Sequence, residues 1–212
     1  MFTVFVIGNI ASGKSTVSHY LESLGARLID LDQLAKSLYI PGSSIVRELG
    51  DEFGWDILDA DGGIDAKALA SRAFETPERT EALNRIVYPV LLQQLSLRVL
   101  PAQCCSVLVD EPLLTVVEVS VAASFQDAFG LADEVIAVTA PVSTRRMRAL
   151  ERGMLLEDFE SRCAAQPPED ELCALATCII DNSGPADLIR VRVNDWLAQH
   201  GFVIEGGALR HA

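Results

Sequence analysis

The residues Gly8-Asn9-Ile10-Ala11-Ser12-Gly13-Lys14-Ser15-Thr16 contain the complete pattern G-x-x-x-x-G-K-[ST]. Residues of these types at this spacing do one kind of chemistry: they hold a polyphosphate. Gly8 and Gly13 permit backbone conformations that bend the chain around an anion. The N–H groups of such a loop, and the N-terminus of the helix that follows it, point at that anion. Lys14 is expected to reach the β- and γ-phosphates, and the Ser15 hydroxyl to bind Mg²⁺. The flanks decide whether the pattern means this. Val4-Phe5-Val6-Ile7 reads as a short buried strand before the loop, and Thr16-Val17-Ser18-His19-Tyr20-Leu21 reads as the opening of a helix after it.

A held phosphate that is to be transferred needs an acceptor-side base and neutralisation of developing charge. Asp32, at the end of Ile29-Asp30-Leu31-Asp32, is the candidate base; its alternative role is to cap a helix beginning at Gln33. Arg145, Arg148 and Arg152 recur at i, i+3 and i+7, on one helix face, and Arg162 follows. In a chain whose formal net charge is −13, such a cluster reads as a lid meeting ATP phosphates, or as a solvated face with local ion pairs. The Asn-Lys-x-Asp motif by which GTPases read their base is absent. Small-metabolite kinases are the main class left.

The elements that must carry these residues are legible as apolar runs of strand length. They are Val4–Ile7, Arg27–Asp30, Ser106–Asp110, Glu134–Val138 and Thr177–Asp181. Near-continuous apolar character marks strands buried on both faces, hence a parallel sheet covered by helices. The expected fold class is α/β: a three-layer, P-loop NTPase-type, parallel five-stranded sheet flanked by helices, with a helical insertion and a lid. The stretch 31–105 exceeds what a crossover needs. Leu83, Ile86, Val87, Val90, Leu91 and Leu95 fall there at helical spacing, interrupted by Pro89. The chain is read as one kinase domain, 1–212. Its core is 1–60, 101–141 and 171–205; its insertion is 61–100 and its lid 142–170. The aspartates of Asp56–Asp65 lack the spacing of a calcium loop and read as a solvated connector. The tail Gly206–Ala212 is expected to fray.

Of the 212 residues, half are hydrophobic, enough for one sizeable core. The acidic balance disfavours nucleic acid and anionic membranes as partners. No basic segment precedes the first apolar run, so no signal peptide is expected, and no run is long enough to span a bilayer. A cytoplasmic protein is the default. Cys104, Cys105, Cys163, Cys173 and Cys178 show no paired C-x-x-C spacing and, with three histidines, give no zinc pattern.

Taken in order, these motifs resemble those of the dephospho-CoA kinase family from Phe2 to about Trp196. Leu28-Ile29-Asp30-Leu31-Asp32 is similar to its I-D-A-D segment, and Leu83-Asn84-Arg85-Ile86-Val87-Tyr88-Pro89 to its L-N-x-x-x-H-P segment. Asp110-Glu111-Pro112-Leu113-Leu114 resembles D-x-P-L-L. Arg148–Arg152, Arg162–Gln166 and Asp181-Asn182-Ser183-Gly184 resemble R-x-x-x-R, R-x-x-x-Q and D-N-x-G. The resemblance implies transfer of the ATP γ-phosphate to the ribose 3′-hydroxyl of dephospho-CoA. It implies Asp32, Lys14 and Arg148 as catalytic residues. ATP would be held by Gly8–Thr16, Arg148, Arg152, Asn182 and Gly184; the acceptor by Asp32, Tyr88, Pro112 and Leu113; and Mg²⁺ by Ser15 and Asp110. A small molecule is the implied partner, and the chain would act as a monomer or small homo-oligomer. The chain departs from the family at Asn9 and Ala11, where glycine is usual, and at Tyr88, where histidine is usual. Thr115 and Val116 stand where an acidic residue is usual, with Glu118 further on, and Glu111 makes an Asp-Glu pair. A catalytically impaired nucleotide- or CoA-binding regulator, or a kinase of another small metabolite, also fits the residues.

Overall fold

Val4, Phe5, Val6 and Ile7 have no exposed surface. A strand so covered needs partners on both edges and layers on both faces. In the computed structural model, which describes residues 2–100, 112–120, 125–185 and 187–212, it has them. Strand β1 (Phe2–Ile7) is central in the order β2-β3-β1-β4-β5, every pairing parallel. The others are β2 (Arg27–Asp30), β3 (Leu114–Glu118), β4 (Glu134–Thr139) and β5 (Cys178–Asp181). Helix α1 (Lys14–Ser23) follows β1, and α9 (Leu188–Gln199) follows β5. Val17 and Leu21 of α1, with Ile189, Val193, Trp196 and Leu197 of α9, pack on Val4, Val6, Val116, Ile136 and Val138. Each such fully buried side chain contributes about 1.5–3 kcal/mol. The segment read as the lid, 142–170, forms α6 (Val142–Glu151) and α7 (Leu156–Ala165), and α8 (Glu169–Ala174) crosses its end. Among the described residues no helix is long and apolar enough to cross a membrane.

The chain divides into two compact units: Met1–Leu31 with Pro101–Ala212, and Asp32–Leu100. Residues 32–60, grouped with the core from sequence, thus fold with the insertion. The reason is α3 (Ser44–Phe53), whose buried Ile45, Val46, Leu49 and Phe53 form one apolar stripe that must be covered locally. Helix α2 (Leu31–Lys36) starts directly after β2, so Asp32 lies in its first turn rather than before a helix at Gln33. Asp65 caps α4 (Ala66–Ala73) by accepting the Lys67 and Ala68 N–H groups. Thr76 and Pro77 open α5 (Pro77–Val99). Pro89 does not interrupt α5. It gives up one N–H bond on an exposed face, while Val87, Leu91, Leu95 and Val99 anchor the buried face on both sides.

In the first unit one sequence expectation changes and another falls outside the described residues. The third strand was placed at Ser106–Asp110, which lies outside the described residues; the described strand runs over Leu114–Glu118, equally apolar. The tail is not frayed. Strands β6 (Phe202–Glu205) and β7 (Ala208–His211) pair antiparallel, turning at Gly206-Gly207, both with positive φ. Leu209 enters the core, and its N–H donates to the Leu24 carbonyl at 2.8 Å. Sequence reading took the glycines for disorder where they make a two-residue turn. Leu209→Ala is therefore expected to lower the free energy of unfolding by about 2–3 kcal/mol, read by urea denaturation. A frayed tail would leave it unchanged.

Candidate active site

In a parallel sheet the carboxyl ends of the strands are where ligands collect. Here that edge presents Asp30, Glu118 and Asp181, with the phosphate loop between β1 and α1. The loop has the backbone its glycines foretell. Gly8 and Gly13 take φ of 151° and 111°. A β-carbon on Gly8 would lie 2.5 Å from the Val138 carbonyl oxygen, and one on Gly13 would lie 2.2 Å from Asn182 Nδ2. Neither position admits a side chain without movement of the sheet or the loop. Gly13 also caps α1 without a side-chain acceptor, and no acidic residue stands in the first turn. That leaves the positive end of α1 to an anion.

The loop is held by side chains from α1, from the end of β5 and from α6. Lys14 Nζ reaches back over it, donating to the Gly8 carbonyl at 2.8 Å and to that of Asn9 at 3.4 Å. Asn182, buried just past β5, donates its Nδ2 to the Ser12 carbonyl at 2.7 Å, and its own N–H to Thr139 at 2.7 Å. Arg148 donates to the carbonyls of Ser12 (3.4 Å) and Asn182 (2.9 Å). Arg145 is buried, with Nε on the Ala140 carbonyl and Nη1 on that of Ile10. Asp181 shapes the loop that delivers Asn182. Its carboxylate accepts the Ser183 N–H and hydroxyl and pairs with Arg192 at 2.7 Å. The Ser183 hydroxyl, with the Ser183 N–H and Arg192, holds this carboxyl below the usual carboxylate range against a small opposing cost of desolvation.

Two cavities adjoin the loop. One of about 310 Å³ is lined by Ile10, Ala11, Ala149, Arg152, Met154 and Asp158 among others. A smaller one is lined by Ala11, Gly13, Lys14, Ser15, Thr16 and Arg152. Arg152 is thus the lid arginine common to both. Arg148, expected at the phosphates, has its guanidinium on the backbone carbonyls of Ser12 and Asn182. Asn182, expected beside the ATP base, is a buried support for Ser12. Gly184 follows it, packed closely on Leu188. Ser12 Oγ lies within the arch, near the space where Gly8 lacks a β-carbon, and is buried with no partner among the described residues. A phosphate oxygen would satisfy it.

The metal expectation named Ser15 and Asp110. Asp110 and Glu111 lie outside the described residues. At the end of β3, however, Glu118 Oε1 accepts the Ser15 hydroxyl at 2.6 Å. A hydroxyl and a carboxylate meeting beside a phosphate loop form the hard-oxygen donor set that Mg²⁺ takes together with phosphates and water. Sequence reading passed over Glu118 because it stands four residues beyond Leu114; its place at the end of an apolar run, in register with Asp30, was the available signal. Among the described residues no cluster of three or more metal-ligating side chains exists. Pro112 and Leu113, expected to meet the acceptor, lie at the opposite edge. Leu113 precedes β3, accepts the Phe2 N–H at 2.9 Å and packs on the core. The length of β3, about 13 Å at 3.3 Å per residue, separates it from Glu118. Asp32 and Tyr88 belong to the second unit.

The family model for Dephospho-CoA kinase matches residues 2–187. The chain belongs to the dephospho-CoA kinase family. A Dephospho-CoA kinase of Corynebacterium diphtheriae is 35% identical over 89% of this chain and 92% of its own. Among solved structures, TT1252 from Thermus thermophilus aligns with a TM-score of 0.73 at 29% identity, covering 93% of this chain and 97% of that one. A dephospho-CoA kinase from Campylobacter jejuni aligns at 0.59 with 21% identity, covering 93% and 96%, which supports the fold. Within the family frame, Asp181 is a loop-shaping residue. Its depressed pKa gives stability that is present above the unfolded carboxylate range and lost as pH falls through the folded value. Because the group is partly exposed, Asp181→Asn should cost under about 1 kcal/mol at pH 7. The difference from the parent, measured by thermal unfolding, should disappear below the carboxylate range.

Proposed function

We infer that the chain transfers the γ-phosphoryl group of ATP to the 3′-hydroxyl of dephospho-CoA, giving coenzyme A and ADP. The observation that carries this reading is the Ser15–Glu118 pair beside a complete phosphate loop, in a chain of this family. The loop N–H groups and Lys14 hold the β- and γ-phosphates. Ser15 and Glu118 would hold Mg²⁺, with Asp110 as a further ligand. Held there, Mg²⁺ would supply neutralisation of the charge that builds on the phosphate oxygens. Arg152 faces both cavities and does the same from the lid, while Arg148 and Asn182 act through the Ser12 carbonyl. Asp32 accepts the proton of the attacking hydroxyl, and Tyr88 hydrogen-bonds the acceptor.

Phosphoryl transfer asks for positioning and charge neutralisation more than for covalent help. A base that acts on the acceptor should therefore be separable from the groups that hold ATP. In a coupled assay with ATP, Mg²⁺ and a panel of dephospho-CoA, nucleosides and shikimate, ADP should form with dephospho-CoA alone. Asp32→Asn should lower kcat by about 10²–10⁴-fold with little change in the KM for ATP. ATP binding without turnover on any acceptor would support the regulator reading instead. Glu118→Gln should raise the Mg²⁺ concentration for half-maximal rate by about 10-fold or more, as loss of a metal-supporting carboxylate does. An unchanged Mg²⁺ requirement would remove Glu118 from the metal site.

A further inference from the structure

Ala11 has the left-handed φ of 57°, in a turn closed by the Ser12 N–H on the Asn9 carbonyl at 3.1 Å. A four-residue turn with positive φ at its third position selects glycine. The β-carbon of Ala11 makes the conformation strained, and strain of this kind persists only where the surroundings over-determine it. The surroundings here are the return segment of the lid. Gln166 Oε1, just past α7, accepts the Ile10 N–H at 2.7 Å. Asn9 Nδ2 donates to the Pro167 carbonyl at 3.3 Å. Arg145 holds the Ile10 carbonyl at 3.4 Å. Both polar groups of Ile10, the residue before the strained one, are thus fixed from the lid, and Asn9 adds a strap that glycine lacks.

We propose that Gln166 and Asn9 are positioning residues: they clasp the crest of the phosphate loop and impose the left-handed turn that Ala11 would not adopt unaided. In this chain nucleotide affinity therefore depends on how the end of α7 is seated. The proposal rests on the reading of the loop as a nucleotide site, and not on which acceptor is used. It makes a non-additive expectation. With glycine at position 11 the turn no longer needs forcing, so the clasp loses its effect.

The test is calorimetric binding of Mg·ADP to the parent, Gln166→Met, Ala11→Gly and the double variant, with thermal unfolding alongside. Gln166→Met keeps the length of the side chain and removes the acceptor. It should weaken binding about 5- to 10-fold when residue 11 is alanine, and less than about 2-fold when residue 11 is glycine. Equal losses in the two backgrounds, or no loss with alanine, would overturn the proposal, since a merely structural role moves both backgrounds alike. If Gln166→Met does not fold, Asn9→Ala replaces it, with a loss of about 2- to 3-fold that Ala11→Gly again removes; equal losses in both backgrounds, or no loss, overturn it. Binding is read without turnover, so a chain that bound ADP in this pattern yet left dephospho-CoA unphosphorylated would refute the kinase reading and keep the clasp.

Discussion

The hydrogen bond from Asn182 Nδ2 to the Ser12 carbonyl is the constraint on which the site depends. Asn182 is anchored in turn by its N–H on Thr139, at the end of β4. A loop after β1 is thereby tied to the ends of β4 and β5, so the phosphate cradle inherits the rigidity of three paired strands. The bond also explains why Gly13 must be glycine: the amide lies where its β-carbon would be. A buried polar bond of this kind is worth little net when made and costs much when one partner is left unsatisfied, so it fixes geometry more than it adds stability. Arg148 reinforces the same carbonyl. Two residues that sequence patterns assign to ATP thus also hold the backbone of the loop.

The charge arrangement follows from the same frame. The chain is strongly acidic overall, and its site must still attract a polyphosphate. Local cations and the N-terminus of α1 supply the attraction. Two of the carboxylates at the strand ends have partners that limit repulsion: Glu118 takes the Ser15 hydroxyl, and Asp181 takes Ser183 and Arg192. The acidic edge is thus partly self-satisfied before any nucleotide arrives. The left-handed backbone of Ala11 lies at the crest of the cradle and costs about 1–2 kcal/mol in an L-residue.

Much of this was legible in the chain. The buried strands β1, β2, β4 and β5, the phosphate loop and the arginine face were read from apolar continuity, glycine spacing and helical periodicity, and the Asp181–Gly184 segment from the family resemblance. What was not legible depended on long-range contact. Glu118 meets Ser15 across 103 positions of sequence, a pairing that the end of an apolar run does not by itself announce. The hairpin after Gly201 is stable only because Leu209 finds a core site beside Leu24. Pro89 was expected to break a helix that burial on its opposite face maintains. Pro112 and Leu113 were drawn to the acceptor by motif order, but register places them at the other edge of the sheet.

The central claim, that this cradle delivers a γ-phosphoryl group to a ribose hydroxyl, is tested most directly by the position of the new phosphate. ³¹P NMR of the products from ATP, Mg²⁺ and dephospho-CoA should show a monoester on the ribose 3′-oxygen, formed in equal amount with ADP. Inorganic phosphate in place of that monoester, or a phosphate on any other oxygen, would contradict the account.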